Sequence, residues 1–280
     1  MSLRYAVFGQ PIAHSLSPRI HALFGAQLGI ALDYRAIEAG RGEFADRVEA
    51  FAHEGGRGAN VTLPLKEDAL ALCANLSERA RRAGSVNTLI REGQRWRGDS
   101  TDGIGLLRDL RERRACDPHD LRVLLLGAGG AARAAAFALA DAGVRELVIA
   151  NRTLKRAEAL ALAIGDKAHV GVRAWDALAS ARSFDLVLNA TAAGHANAAF
   201  EVPPALLATQ TLCYDLSYGK AAAAFLEAAR KSGATRLGDG LGMLVEQAAE
   251  SFFLWHGARP DTAPVYAELR AAAGAPATNR

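Results

Sequence analysis

The chain has 280 residues, half of them apolar, with a formal net charge of +3. That length suits a large core divided over two domains. No run approaches the roughly 18 consecutive apolar residues of a membrane span, and a charge so small and so evenly spread predicts neither nucleic-acid nor membrane partners. The N-terminal stretch MSLRYAVFGQP lacks the zones of a secretory signal. Cys73, Cys116 and Cys213 are scattered without paired or metal-like spacing. A cytoplasmic protein with reduced thiols and no metal is therefore expected.

RYAVFG (4–9) reads as a buried strand, followed by a helix over 17–29 with Ser17 as its cap and Pro18 in the first turn. LDYRAIE (32–38) is a second strand, EFADRVEAFAHEG (43–55) a helix, and GANVTL (58–63) a third strand. Short helices over 66–82 and a strand pair near 86–98 complete an α/β layer. TDGIGLLRDLRERR (101–114) is an amphipathic helix, and ACDPHDL after it reads as a hinge.

From residue 121 the cadence changes. LRVLLLGAGGAARAAAFALADAG (121–143) runs a continuous apolar strand into a glycine turn that opens a helix. Strands at 145–153, 185–191 and 211–217, with helices between them, read as an open, doubly wound parallel sheet. GLGMLVEQAAESFFLWHG (240–257) is a strongly apolar helix expected to return to the first domain, and the alanine-rich tail from 271 is expected to fray. The predicted domains are 1–103 with 241–280, and 104–240.

Gly127, Gly129 and Ala132 fill a G-x-G-x-x-A pattern. Gly127 suits the tight turn, Gly129 allows backbone amides to approach a pyrophosphate, and Ala132 keeps helix against strand. A strand–helix turn without a ligand would look similar. At the end of the next strand an NAD enzyme places Asp or Glu. This chain has Asn151-Arg152-Thr153, with Lys155 and Arg156 just after. An acid would repel a 2′-phosphate and a guanidinium can clamp it, so the pattern points to NADP, against the alternative of an exposed basic helix start.

GANVTLPLKED (58–68) turns an amide, a hydroxyl and an amine toward one side: Asn60, Thr62 and, past Pro64, Lys66. Only five of the 33 basic residues are lysines, so each lysine invites the question of what arginine could not do there. At the start of a helix over KEDALALCA, Lys66 would also oppose the macrodipole.

Eight motifs, in order from about residue 4 to 266, carry a resemblance to the shikimate dehydrogenase family: FGQPIAHSLSPRIHALF, GANVTLPLKE, AGSVNTL, GDSTDGIG, GAGGAARA, ANRTLKRAE, YDLSYGK and DGLGMLVEQAA. The resemblance implies an N-terminal α/β substrate domain, a Rossmann NADP-binding domain, and C-terminal helices packed on the first. It implies reduction of 3-dehydroshikimate by NADPH in aromatic amino acid biosynthesis. Ser15 and Ser17, helped by Thr62 and Tyr218, match the positions that bind the substrate carboxylate. Asn60, Asn87 and Gln247 match those that bind ring hydroxyls, and Lys66 and Asp102 match the catalytic pair. The cofactor site implied comprises Gly127, Ala128, Gly129, Gly130, Ala131, Asn151, Arg152, Thr153, Arg156, Gly240 and Met243.

Each role has a structural alternative: a helix cap for Ser17, a loop bridge for Asn60, an ordinary helix-surface amide for Gln247. His14 and His21 flank the serine loop but lack a paired carboxylate motif and read as structural. Three departures stand out. Ser100 occupies a position where the family commonly has Asn, Ala192 one where Ser or Thr is usual, and GKAAAAFL lacks the usual Thr-Pro before Phe225. The rivals are a broader quinate/shikimate dehydrogenase, told apart by cofactor preference, and a non-catalytic NADP(H)-binding sensor, told apart by failure to turn over shikimate. A monomer or homodimer acting on a small molecule is expected.

Overall fold

The computed structural model describes residues 2–191 and 201–273, which form two compact units. One comprises the residues up to Gly105 together with Val245–Leu269; the other comprises Leu106–Leu244 with the residues from Arg270. Ala192 lies outside the described residues, as does the tail beyond 273.

The first unit is built on strands β1 (Leu3–Gly9), β2 (Leu32–Glu38), β3 (Gly56–Val61), β4 (Cys73–Leu76), β5 (Thr88–Glu92) and β6 (Arg95–Asp99). Their order is β2-β1-β3-β5-β6-β4. β1 pairs in parallel with β2 and β3, whereas β5 runs antiparallel to both β3 and β6. Helices α1 (Ser17–Leu28), α2 (Phe44–His53) and α3 (Glu78–Ala83) connect them. Phe8, Phe44, Phe51, Val61, Leu65 and Leu89 lie in one buried cluster under this sheet.

Helix α4 (Asp102–Arg113) leads into the second unit. There β7 (Arg122–Leu126), β8 (Glu146–Ala150), β9 (Val170–Arg173), β10 (Phe184–Asn189), β11 (Leu207–Asp215) and β12 (Arg236–Asp239) form a sheet in the order β12-β11-β10-β7-β8-β9, parallel throughout. This is the doubly wound dinucleotide-binding order. Helices α5 (Gly130–Asp141), α6 (Leu154–Ile164) and α7 (Lys220–Lys231) accompany it. β7 reads as unbroken Val-Leu-Leu-Leu because a central parallel strand is covered on both faces, and all four side chains are buried. Helix α8 (Leu241–His256) passes from this unit into the first, and α9 (Ala263–Ala272) follows it.

Three expectations need correction. The helices expected over 66–82 are a 3-10 turn at Asp68–Leu72, the strand β4 and the short α3. β4 exists because its backbone pairs in parallel with β6, a long-range contact that local pattern does not show. Ser17 is not the cap of α1: the Leu16 carbonyl already accepts from Ile20 N–H at 3.0 Å, so Ser17 is helical, and its own N–H reaches Ser15 Oγ at 3.3 Å. The macrodipole argument for Lys66 also falls, since no α-helix begins there.

Candidate active site

After β3 the chain turns through Thr62–Leu65, with Leu65 N–H donating to the Thr62 carbonyl at 2.9 Å. The Lys66 carbonyl then accepts from Val86 N–H at 2.8 Å, which ties the turn to the segment entering β5. Lys66 Nζ lies 2.5 Å from Asp102 Oδ2, with the two side chains 15% and 5% exposed. Asp102 opens α4, where the helix N-terminus favours a negative charge.

The second carboxylate oxygen is also held. Asn87 Nδ2 donates to Asp102 Oδ1 at 2.9 Å, and to Gln247 Oε1 at 3.0 Å. Asn87 Oδ1 accepts from Thr101 N–H at 2.8 Å; a backbone N–H can only donate, so this bond fixes which end of the amide is oxygen. Asn60 is oriented in the same way, because its Nδ2 faces the Asn87 backbone carbonyl at 3.1 Å. Ser251 Oγ lies 3.0 Å from Asn60 Nδ2 and Thr88 Oγ1 at 3.3 Å, while Tyr34 donates its hydroxyl to Asn60 Oδ1 at 2.8 Å. Lys66, Asp102, Asn87, Gln247 and Asn60 are thus one connected cluster. Tyr34, Thr88 and Ser251 were not singled out from the sequence. A signal existed for Ser251, which follows Gln247 by one helical turn on α8.

Ser15 is half-buried before α1, Ser17 is buried in its first turn, and Thr62 is half-buried just past β3. Tyr218 lies in the second unit, on the loop between β11 and α7. His14 is exposed. His21 is fully buried against Tyr34, Phe24, Phe252 and Trp255, with its imidazole beside the Asn60 side chain. Burial pushes its pKa down to about 3, with the Asn60 side chain pulling the other way and His256 adding to the fall. Ser100 is buried, with its backbone N–H on Asp99 Oδ1 at 2.7 Å. Without Thr-Pro before Phe225, α7 still forms, entered through Gly219 at φ +60°.

In the second unit Gly127 has φ +112°, and a Cβ there would lie 2.9 Å from the Ala190 carbonyl oxygen, so the turn itself demands glycine. Gly129 caps α5, and a Cβ there would meet nothing within 4 Å. Packing does not require that glycine, whereas close approach of an anion to the helix N-terminus would use it. Gly130 opens α5, Ala128 and Ala131 are half-buried, and Ala132 is fully buried. Asn151 Nδ2 donates to the Thr153 carbonyl at 2.8 Å and closes the next turn. Arg152 and Arg156 are exposed there, without an ion-pair partner among the described residues. These features fit a nicotinamide dinucleotide carrying a 2′-phosphate. Met243 is buried in the core of this unit, and Gly240 packs its backbone against the Leu216 carbonyl.

The chain matches three family models: the shikimate dehydrogenase substrate binding domain over residues 7–89, shikimate/quinate 5-dehydrogenase over 109–215, and the shikimate 5′-dehydrogenase C-terminal domain over 240–270. It is 57% identical over 270 residues to shikimate dehydrogenase (NADP(+)) of Xanthomonas euvesicatoria pv. vesicatoria, covering 96% of this chain and 95% of that one. Among solved structures it resembles an Ael1 enzyme from Pseudomonas putida, with TM-score 0.88 and 45% identity over 96% of this chain and 98% of that one. It also resembles shikimate 5-dehydrogenase from Thermus thermophilus in complex with NADP(H) and shikimate, with TM-score 0.82 and 35% identity over 96% and 99%.

Proposed function

The chain belongs to the shikimate dehydrogenase family, and on that premise we propose that it reduces 3-dehydroshikimate reversibly to shikimate with NADPH. The reaction is 3-dehydroshikimate + NADPH + H⁺ ⇌ shikimate + NADP⁺, a step of aromatic amino acid biosynthesis, and the setting we propose is the cytoplasm. No helix among the described residues is long and apolar enough to cross a membrane. The observation that carries the reading is the Lys66–Asp102 pair at 2.5 Å, joined to a cluster of oriented amides.

Bound NADPH supplies the hydride, and the protein supplies position and the proton. Lys66 Nζ donates toward the substrate oxygen as it becomes an alkoxide, and takes the hydroxyl proton in the reverse direction. Arginine could not do this, because it does not deprotonate in the working range. Asp102 Oδ2 orients the ammonium, and Asn87 keeps the carboxylate from rotating away. Ser15, Ser17, Thr62 and Tyr218 hold the substrate carboxylate; Asn60, Asn87 and Gln247 take ring hydroxyls. Gly127–Ala131 receive the pyrophosphate at the start of α5, Asn151–Thr153 and Arg156 the adenosine 2′-phosphate, and Gly240 and Met243 complete the cofactor site.

Consumption of NADPH in the presence of 3-dehydroshikimate tests this. NADPH that binds tightly but is not consumed would make the protein a sensor and not an enzyme.

A further inference from the structure

Behind Asp102 lies a set of charges that the proposed chemistry does not use, all of it within the first unit. Arg79, in α3, holds the Asp99 carboxylate with one edge of its guanidinium, Nε to Oδ1 at 2.6 Å and Nη2 to Oδ2 at 3.1 Å. The far edge of the same fork reaches Glu250 Oε1 in a longer ion pair, 3.4 Å from Nη1 and 3.5 Å from Nη2. Arg259 continues the series, at 3.0 Å from Glu250 Oε2 and 2.6 Å from Glu246 Oε2. Arg97 stands farther from Asp99, at 3.8 Å. Burial alone would raise the Asp99 pKa, but the bonds from Arg79 and Ser77 hold it below the ordinary carboxylate range. Asp99 is a buried charge that Arg79 keeps paired.

The two acids that Arg79 joins belong to the two elements that carry the polar cluster. Asp99 ends β6, and Asp102 opens α4 three residues later. The turn between them is pinned by Ser100 N–H on Asp99 Oδ1 at 2.7 Å, and Ser77, the cap of α3, donates to the same oxygen at 2.6 Å. On α8, Glu246 and Glu250 each stand one residue before Gln247 and Ser251. One stripe of that helix therefore meets the arginines while the adjacent stripe meets the amides. Asn87 touches both sides. Its Nδ2 lies 2.9 Å from Asp102 Oδ1 and 2.8 Å from Thr101 Oγ1 on one side, and 3.0 Å from Gln247 Oε1 on the other. We propose that Arg79 is a positioning residue: by bridging Asp99 to Glu250 it sets the spacing of α8 from the end of β6, and with it the alignment of Asp102 with Gln247. Lysine could not replace it, because a single ammonium has no two-sided fork. The effect on turnover rests on the proposed function, whereas the effect on the Asn87 amide does not.

The amide is read first, without any substrate. In ¹⁵N-labelled protein the Asn87 side-chain NH₂ protons should exchange with solvent at least about tenfold faster in Arg79→Lys than in the parent. Lysine keeps a positive charge among the carboxylates, and thermal unfolding checks that this variant is folded. Equal exchange overturns the inference. Turnover is read next. Arg79→Lys and Arg79→Ala should each lower kcat for shikimate oxidation at least about tenfold, with the KM for NADP⁺ nearly unchanged. In an Asp102→Asn background that loss should nearly vanish, because Arg79 acts through Asp102. A cavity of about 320 Å³ lined by Ser77, Glu78, Arg79, Arg82 and Asp99 opens onto the guanidinium. Added guanidinium ion should therefore restore kcat in Arg79→Ala, and the same concentration of ammonium should not. An undiminished kcat in Arg79→Lys, losses that add in the cycle, or an equal response to the two ions would overturn the proposal. If Arg79→Ala does not fold, Arg79→Lys decides alone. If the parent does not oxidise shikimate at all, the proposed function fails, and the exchange experiment still decides the role of Arg79.

Discussion

Lys66 Nζ and Asp102 Oδ2 are 2.5 Å apart while Asp102 Oδ1 accepts from Asn87, so the carboxylate cannot turn from the lysine without breaking a second bond. If Lys66 moves the proton, Lys66→Ala should lower kcat by about 10²–10⁴-fold and change the KM for shikimate little. Steady-state kinetics separates the cases: a variant that fails only through KM would make Lys66 a binding residue and pass the proton to another group, with Asp102 the first candidate.

The exposed guanidinium of Arg152 has no ion-pair partner among the described residues and follows β8, where a 2′-phosphate would lie. Arg152→Ala should raise the KM for NADP⁺ by roughly ten- to a hundredfold, as expected for loss of a charge-assisted contact. The KM for NAD⁺ should barely change. Equal losses with both cofactors would remove the specificity role.

His21 gives a pH dependence with a definite sign. Its folded-state pKa of about 3 lies below the ordinary value, so the unfolded chain binds the extra proton first. The stability tied to neutral His21 is complete above about pH 6.5 and is lost as pH falls toward 3, at about 1.4 kcal/mol per unit. The groups facing it are His256, itself pushed down by burial and by Arg57, and the Tyr34 phenol, which stays neutral. Relative to the parent, His21→Phe should therefore gain about 3 kcal/mol between pH 6.5 and pH 4 in denaturant unfolding. Parallel curves for the two proteins would show that His21 already carries its proton in the fold.

Gly242 lies inside α8, where alanine normally improves a helix by up to about 1 kcal/mol. Here a Cβ would fall within contact distance of the Asp109 carboxylate, which is fully buried and accepts from the Tyr214 hydroxyl at 2.7 Å. Gly242→Ala should instead destabilise by about 1–3 kcal/mol, with the midpoint of thermal unfolding lowered. A raised midpoint would mean that the carboxylate moves aside at no cost.

Legibility followed the range of the interactions involved. β7 and its glycine turn could be read because burial on both faces, a positive φ and a helix start each leave a local mark on the sequence. The strands β4, β9 and β12 had no such mark. Each has four residues with no strong alternation, and pairing with a neighbour makes them strands. The polar row Asn60, Thr62, Lys66 was visible along one chain segment. What Asn60 can offer was not, since that depends on Tyr34, Thr88, Asn87 and Ser251, which come from β2, β5, the segment before β5 and α8. Ser17 misled for the opposite reason: a good cap residue stood one position inside the helix.

The most direct test of the account is the rate of NADP⁺ reduction with shikimate, run beside NAD⁺ with shikimate and NADP⁺ with quinate. Rapid turnover is expected for NADP⁺ with shikimate, with kcat/KM at least about tenfold lower in each of the other two pairs, the loss of one good charged or polar contact. Equal rates with NAD⁺ or with quinate would contradict the assigned specificity, and no turnover with any pair would contradict the activity itself.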